Sequence, residues 1–124
     1  MISTTKFIDA NIFIERWSND SCRQLIDDLD LEEYHTSVLV LTEVYHKLTK
    51  KRVRSAFDYV RAIMGSVKVH DIRQNDLFNA MKNNLDININ DKIHIEVMRR
   101  NNISTIISFD KDFDKEKTVR REEP

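Results

Sequence analysis

The stretch KFIDANIFI, residues 6–14, places a carboxylate where an apolar strand ends and a helix begins. Its first three residues are typical of a short buried strand, and the residues after Asp9 begin an amphipathic helix that carries Ile12, Phe13 and Trp17. Ligands of an open α/β sheet bind at the carboxyl ends of its strands, so Asp9 is well placed for chemistry. Asp is also a preferred helix cap, so a purely structural role for Asp9 stays open at this point.

The composition is typical of a globular domain with many helices. A length of 124 residues fits one domain, which we predict to span residues 1–124. The single Gly and the single Pro favour helices joined by short connections. The net charge of −1 excludes the broad polycation of a protein that coats DNA, although it leaves room for a local basic surface.

Membrane segments and cysteines are the features that bear on location. No stretch approaches the ~20 apolar residues that a membrane span needs, and the N-terminus lacks the pattern of a signal peptide. Cys22 is the single cysteine, which excludes an internal disulfide framework and a structural zinc site. We therefore expect a cytoplasmic protein without membrane association, with Cys22 buried as a small hydrophobic residue.

Hydrophobic periodicity predicts alternating helices and strands along the chain. Helices are predicted over residues 21–29, 37–51, 53–64, 71–81 and 91–100, and strands over residues 34–37, 67–69 and 103–109. The last strand, ISTIISF, is apolar and β-branched enough to lie centrally in a sheet, buried on both faces. This alternation predicts an α/β fold in which helices cover both sides of a parallel sheet.

Four acidic residues are expected at one edge of this sheet. Asp9 follows the first strand and Asp110 follows ISTIISF, while Glu43 lies on the helix after the second strand and Asp91 opens a later helix. Structural explanations exist as well, because Glu43 can pair with Lys47 on a helix surface. An acid in a first turn, such as Asp91, is stabilised by the helix dipole.

The joint presence of these acids indicates a metal. Carboxylates in a small volume repel each other, and one of them takes up a proton unless a cation lies between them. Oxygen ligands without cysteine or paired histidine favour Mg²⁺ or Mn²⁺ over zinc, and water activated by such an ion hydrolyses phosphoesters. His94, three residues after Asp91, is expected to flank the site.

Two other acidic motifs fail when their positions are counted. Asp110, Asp112 and Asp114 match the first three ligand positions of an EF-hand loop, but Lys115 occupies the glycine position and Arg121 the final glutamate position. The tripeptide HIE begins like the zinc deaminase motif, whose second half needs two cysteines. Calcium sensing and zinc-dependent deamination are therefore excluded.

The chain resembles the PIN domain family, and within it the small VapC-type toxins of prokaryotic toxin–antitoxin pairs. Four segments carry the resemblance: FIDANIFI at 7–14, SVLVLTEVYHKL at 37–48, the Asn90-Asp91 helix start and ISTIISFDKDFD at 103–114. The resemblance implies a PIN-like three-layer α/β/α sandwich with a central parallel sheet, and an Mg²⁺- or Mn²⁺-dependent endoribonuclease. The helix after Asp91, KIHIEVMRR, is bulkier and more charged than is frequent in the family, so local packing or substrate fit is expected to differ.

The resemblance also implies roles for individual residues. The catalytic acids and metal ligands would be Asp9, Glu43, Asp91 and Asp110, with Asp112 as a further ligand and Asn11, Ser108 and Asp114 as auxiliary polar residues. Such toxins commonly form homodimers and are held inactive by a cognate antitoxin. The expected partners are therefore RNA, a second copy of the chain and an antitoxin.

Five positive charges lie within the eight residues 47–54, which follow Glu43. We predict these charges on the same helix as Glu43. They are Lys47, Lys50, Lys51, Arg52 and Arg54. Such a cluster positions RNA through phosphate contacts without reading bases, whereas a solvated helix end is the structural alternative.

Other functions stay open beside the ribonuclease. The main alternative is a non-catalytic PIN-like module that binds nucleic acid or protein and keeps its acids for stability or docking. A phosphatase with Asp110 and Asp112 as a nucleophile pair ranks last, because too few residues follow the pair for the further strands that such an enzyme needs.

Overall fold

One sheet of five parallel strands organises the chain, which the computed structural model describes over residues 4–124. The strands are β1 (Lys6–Ile8), β2 (Tyr34–Ser37), β3 (Lys68–His70), β4 (Thr105–Ile107) and β5 (Arg120–Glu122). They lie in the order β3-β2-β1-β4-β5, and each neighbouring pair is parallel. The predicted α/β fold with a parallel sheet is confirmed. Residues 1–3 of the predicted domain lie outside the described residues.

Within residues 4–124, six α-helices connect and cover the strands. They are α1 (Ala10–Ile14), α2 (Asp20–Asp27), α3 (Val38–Lys50), α4 (Ala56–Met64), α5 (Gln74–Lys82) and α6 (Ile89–Arg100), with short 3-10 helices at Glu15–Trp17 and Lys111–Lys115. Across residues 4–124, no helix combines the length and the apolar character needed to cross a membrane. Cys22 on α2 is fully buried, as predicted.

The middle of the sheet is buried on both faces. Phe7 and Ile8 are adjacent in β1, so their side chains point to opposite faces, and both have zero exposure. Ile106 and Ile107 repeat this arrangement in β4. A strand that is apolar at consecutive positions therefore has helices packed against both of its sides, as the sequence predicts for ISTIISF.

Parallel pairing brings the carboxyl ends of the strands to one edge of the sheet, and helices begin there. β1 runs directly into α1, and the backbone N–H of Asp9 donates to the carbonyl of Ile107 at 3.0 Å. Ser37 ends β2 and caps α3, because its hydroxyl accepts from the backbone N–H of Val40 at 3.2 Å. These contacts hold the starts of two helices beside the ends of three strands.

Several helix starts differ from the prediction: α4 begins at Ala56, three residues later than predicted, and capping side chains explain the differences at α5 and α6. Helix α6 begins at Ile89, since Asn88 is its cap and accepts from the backbone N–H of Asp91 at 2.9 Å. Asp91 therefore stands third in the helix instead of opening it. Helix α5 begins at Gln74, three residues later than predicted, because the Asp76 carboxylate accepts from the backbone N–H of Arg73 at 2.8 Å.

The end of α3 corrects the predicted position of the basic cluster. Arg52 takes the left-handed conformation with φ of 60°, and the N–H of Val53 donates to the carbonyl of Leu48 at 3.0 Å. This closing motif ends the helix at Lys50 without a glycine. Lys51, Arg52 and Arg54 therefore follow the helix, and only Lys47 and Lys50 lie on it.

Strand β5 is absent from the sequence prediction. Its residues, RRE, are charged, so no hydrophobic run marks them. β5 pairs only with β4 and lies at the edge of the sheet, where charged side chains are tolerated and discourage pairing with other chains. The charge that hides β5 from hydrophobic patterning thus suits an edge position.

Candidate metal centre

A cavity of about 420 Å³ opens at the carboxyl edge of the sheet. Its lining consists of Asp9, Ala10, Asn11, Ile14, Glu43, His46, Lys47, Asn88, Asn90, Asp91 and Asp110. All four acids that were expected at this edge line the cavity. The pair farthest apart in the sequence, Asp9 and Asp110, is separated by 101 positions. The fold therefore brings them together from β1, α3, α6 and the segment after β4.

Asp9 is both the cap of α1 and a buried acid of the cavity. Its Oδ1 accepts from the backbone N–H of Ala10 at 2.8 Å, and its Oδ2 accepts from the Ser108 hydroxyl at 2.6 Å. Burial raises the pKa of Asp9, against the opposing effects of His94 and of the Ser108 hydrogen bond. Asp9 can therefore cap α1 and serve as an acid of the cavity at the same time.

Ser108 and Asn11 brace Asp9 from the neighbouring strand end. Besides donating to Asp9, the Ser108 hydroxyl accepts from the Asn11 amide at 3.2 Å and from the backbone N–H of Asp110 at 3.0 Å. The Asn11 carbonyl oxygen accepts from the backbone N–H of Phe109 at 3.3 Å. These bonds join the ends of β1 and β4, and they orient two acids of the cavity.

Asp91 carries the clearest electrostatic signal of the site. It is 5% exposed, and its Oδ2 accepts from the Asn88 amide at 2.9 Å. Burial, followed by the nearby charges of Asp9 and Asp110, raises the pKa of Asp91 to about 7. Without a cation, the folded chain therefore holds a proton at Asp91 that an exposed carboxyl would release near pH ~4.

The segment after β4 carries three acidic residues, of which Asp110 lines the cavity, whereas Asp112 and Asp114 lie outside its lining. Asp110 lies at the cavity, and its Oδ1 accepts from the backbone N–H of Asp112 at 2.9 Å. The Asp112 side chain is 43% exposed and pairs with Lys115 at 3.2 Å. Asp114 lies outside the cavity lining and pairs with Arg121 at 3.0 Å. The predicted auxiliary role of Asp114 at this site therefore lacks a contact that supports it.

Glu43 meets a histidine at the cavity wall. His94 on α6 is fully buried, and its Nε2 lies 2.9 Å from Glu43 Oε1 and 3.8 Å from Asp9 Oδ1. Burial lowers the pKa of His94, but the hydrogen bond to Glu43 and the charge of Asp9 outweigh this effect and raise it overall. Glu43 thus contacts His94, while the Glu43–Lys47 pair of the alternative reading is not formed among the described residues.

The side chains fit a divalent cation. Asp9, Asp91 and His94 offer atoms that lie within 4.8 Å of one another, and so do Asp91, Asp110 and Asp112. Asp91 belongs to both groups, and burial, followed by the excess of negative charge from Asp9 and Asp110, raises its pKa. A cation would offset this excess, and a mostly carboxylate donor set suits Mg²⁺ or Mn²⁺.

Three cavity residues had no role in the sequence reasoning. Asn88 fixes Asp91, and its signal is the helix-start spacing Asn88-x-x-Asp91, which is typical of a reciprocal cap. His46 lies one helical turn after Glu43, Ile14 lies one turn after Asn11, and both line the cavity. Helical spacing alone predicts these two positions. Of the five basic residues, only Lys47 reaches the cavity lining.

Comparison with known families decides the identity of the fold. The model of the PIN domain family matches residues 6–117. The chain belongs to the PIN domain family. The resemblance seen in the sequence is thereby confirmed. No curated protein matches this PIN domain in sequence.

Solved structures agree with the family. VapC20 of Mycobacterium tuberculosis, described as a toxin that cleaves the sarcin–ricin loop, has 20% identity and a TM-score of 0.73, over 90% of this chain and 94% of its own. DNA-bound VapBC of Salmonella typhimurium has 12% identity and a TM-score of 0.74, over 96% and 97%. VapBC2 of Rickettsia felis, bound to promoter DNA, has 16% identity and a TM-score of 0.71, over 96% and 98%. These likenesses confirm the predicted PIN-like sandwich.

Proposed function

We propose that this PIN domain is a divalent-metal-dependent endoribonuclease that hydrolyses RNA phosphodiesters and acts as the toxin of a type II toxin–antitoxin system. The observation that carries the proposal is the convergence of Asp9, Glu43, Asp91 and Asp110 on one cavity. Family membership supports nuclease chemistry, and the similar VapC20, which cleaves the sarcin–ricin loop, supports RNA as the substrate class.

The proposed roles follow from the contacts at the cavity. Asp9, Asp91 and Asp110 would hold Mg²⁺ or Mn²⁺, with Asp112 at the margin and Glu43 as a further acid of the cavity lining. A bound divalent ion supplies an activated water and stabilises charge on the phosphate. Ser108 and Asn11 hold Asp9 in one orientation, so the acid does not have to reorganise when the ion binds.

The basic cluster supports RNA as the ligand. Lys47 lies at the cavity wall, and the other four basic residues continue along the end of α3 and the turn after it. Within residues 4–124, none of these five side chains has an acidic partner within 4.0 Å, so their charges are available to phosphates. The basic residues at the end of α3 therefore form a surface that binds the phosphates of an RNA strand leading to the cavity.

Replacing Lys47 with Ala is expected to weaken RNA binding about equally for different sequences, because a phosphate contact carries no base information. The slope of log Kd against log salt should fall by ~0.7 for single-stranded RNA. Binding is measured by fluorescence anisotropy in the Asp9→Asn background to suppress cleavage. Lys68→Ala, at the amino end of β3, is the matched control. An unchanged slope for Lys47→Ala would show that Lys47 does not contact RNA phosphates.

The partners and location are proposed on the same basis. One structural neighbour is described as a toxin–antitoxin complex from Klebsiella pneumoniae and another as VapBC-1 from nontypeable Haemophilus influenzae, which supports a cognate antitoxin for this chain. Tyr45, Phe57 and Met64 form an exposed apolar surface between α3 and α4, which is the kind of surface that binds another protein chain. We propose that the protein forms a homodimer and works in the cytoplasm.

Cleavage of a labelled RNA by the purified protein tests the function. We expect cutting with Mn²⁺ or Mg²⁺, none in EDTA, and recovery when the metal is restored. A parallel thermal titration with Mn²⁺ reports metal binding independently of cleavage. Metal binding without cutting of any RNA would favour the non-catalytic binding module, and cutting that persists in EDTA would contradict the metal mechanism.

A further inference from the structure

We infer that His94 is a positioning residue, which holds Glu43 at the metal cavity by donating a hydrogen bond from Nε2, and is not itself a metal ligand. The inference deepens the proposed function and rests on it. It concerns the helix segment KIHIEVMRR, which carries His94 three residues after Asp91.

Glu43 needs such a partner because it is less confined than Asp9 and Asp91. The Glu43 side chain is 30% exposed, whereas the Asp9 side chain is 7% exposed and Asp91 is buried. Glu43 projects from α3, while the other acids are braced by hydrogen bonds at the ends of strands or the start of α6. The contact of 2.9 Å from His94 is the hydrogen bond that ties the Glu43 carboxylate to α6.

The other ring nitrogen shows which role His94 plays. Nδ1 of His94 is the one buried side-chain polar atom within residues 4–124 that has no hydrogen-bond partner. A histidine that binds metal through Nε2 carries its hydrogen on Nδ1, and almost always donates it to a carboxylate, carbonyl or water. Here that N–H would be buried without an acceptor, which costs ~1–3 kcal/mol.

The opposite arrangement avoids that cost. With the hydrogen on Nε2, His94 donates to Glu43 Oε1, and Nδ1 keeps only an unused lone pair. An unpaired acceptor is more often tolerated in a protein interior than an unpaired donor. The imidazolium form also donates from Nε2 to Glu43 and has no lone pair to offer an ion, so His94 is a donor in either charge state, although the charged form leaves the Nδ1 hydrogen unpaired.

The consequence is a defined ligand set. The bond to His94 occupies Glu43 Oε1 and leaves Oε2 for an ion or for a water. The acids grouped around Asp91 then offer oxygen ligands alone, and such a set binds Mg²⁺ and Mn²⁺ without the nitrogen ligand that would favour softer ions.

A pair of substitutions separates positioning from ligation. Gln can place its side-chain N–H near the position of imidazole Nε2, so His94→Gln should keep the metal Kd and kcat within ~3-fold of the wild type. His94→Leu removes the donor and also the unpaired Nδ1, so the fold should persist. Loss of an outer partner typically costs 10–100-fold, and we expect His94→Leu to lose at least ~10-fold in Mn²⁺ affinity and kcat, with KM for RNA unchanged.

Two readouts keep the inference separate from the proposed function. Calorimetric Kd values for Mn²⁺ and Mg²⁺ test His94 even if the wild type cuts no RNA, whereas absence of cutting with normal metal binding counts against the function alone. His94→Met, a second apolar variant, replaces His94→Leu if the latter fails to fold. The inference is overturned if His94→Gln loses Mn²⁺ binding more than Mg²⁺ binding, which indicates a ligand, or if the apolar variant behaves like the wild type.

Discussion

RNA cleavage is expected to fall by at least ~100-fold when Asp9 is replaced with Asn, while the protein remains folded. Asn keeps an oxygen that accepts from the backbone N–H of Ala10, so the start of α1 is preserved. The substitution removes a negative charge beside Asp91 and Glu43, and the proposed cation loses a ligand. Effects of this size are typical when a group that stabilises transition-state charge is lost.

The control for this prediction is another Asp→Asn change, Asp20→Asn on α2. Asp20 is 88% exposed and pairs with Arg23 on the same helix, so cleavage should be unchanged. Circular dichroism and the Tm report whether Asp9→Asn is folded, and single-turnover cleavage gives the rate. Full activity of a folded Asp9→Asn protein would rule out the proposed mechanism.

The free energy of unfolding in EDTA is expected to decrease as pH rises from 6.5 to 8.5, largely through Asp91. Its pKa is about 7 in the folded chain. The unfolded chain has a value near ~3.9. The folded state therefore binds more protons between these values, and the resulting stabilisation is complete below pH ~4 and lost as pH rises through about 7. This linkage predicts a loss of about 1 kcal/mol across the range measured.

Saturation with metal should reverse this trend, because the cation replaces the proton at Asp91. At 100 times its Kd, Mn²⁺ is expected to stabilise the wild type by ~2.7 kcal/mol at pH 8.5. Asp91→Asn should show a flatter pH dependence in EDTA and a much smaller gain with Mn²⁺. Urea unfolding monitored by circular dichroism measures both effects, and a pH dependence that survives in Asp91→Asn would assign it to another group.

Local sequence was informative wherever one short segment decides a feature. Consecutive apolar residues predict the buried strands β1 and β4, and the one-turn spacing from Asp91 predicts His94 at the site. The acids were found because parallel strands end at a common edge. Helix starts were less accurate, since Asn88 and Asp76 act through side chains that hydrophobic periodicity ignores.

Other features depended on contacts between distant segments. The edge strand β5 has no apolar residue, and it forms because β4 presents backbone groups to it. The contact of Glu43 with His94 joins residues that are 51 positions apart in the sequence. The burial that raises the pKa of Asp91 exists only when α3 and α6 are both packed in place.

Short-range pattern therefore predicts the α/β class, the order of the main strands and helices, and the acids of the cavity, because periodicity and strand ends are local properties, whereas the family came from the resemblance of four segments. Distances, burial and hydrogen-bond partners were decided by tertiary packing. These quantities distinguish a Glu43 on the open surface from a Glu43 held at the acidic cavity. They also distinguish a histidine that binds an ion from a histidine that donates a hydrogen bond to a carboxylate.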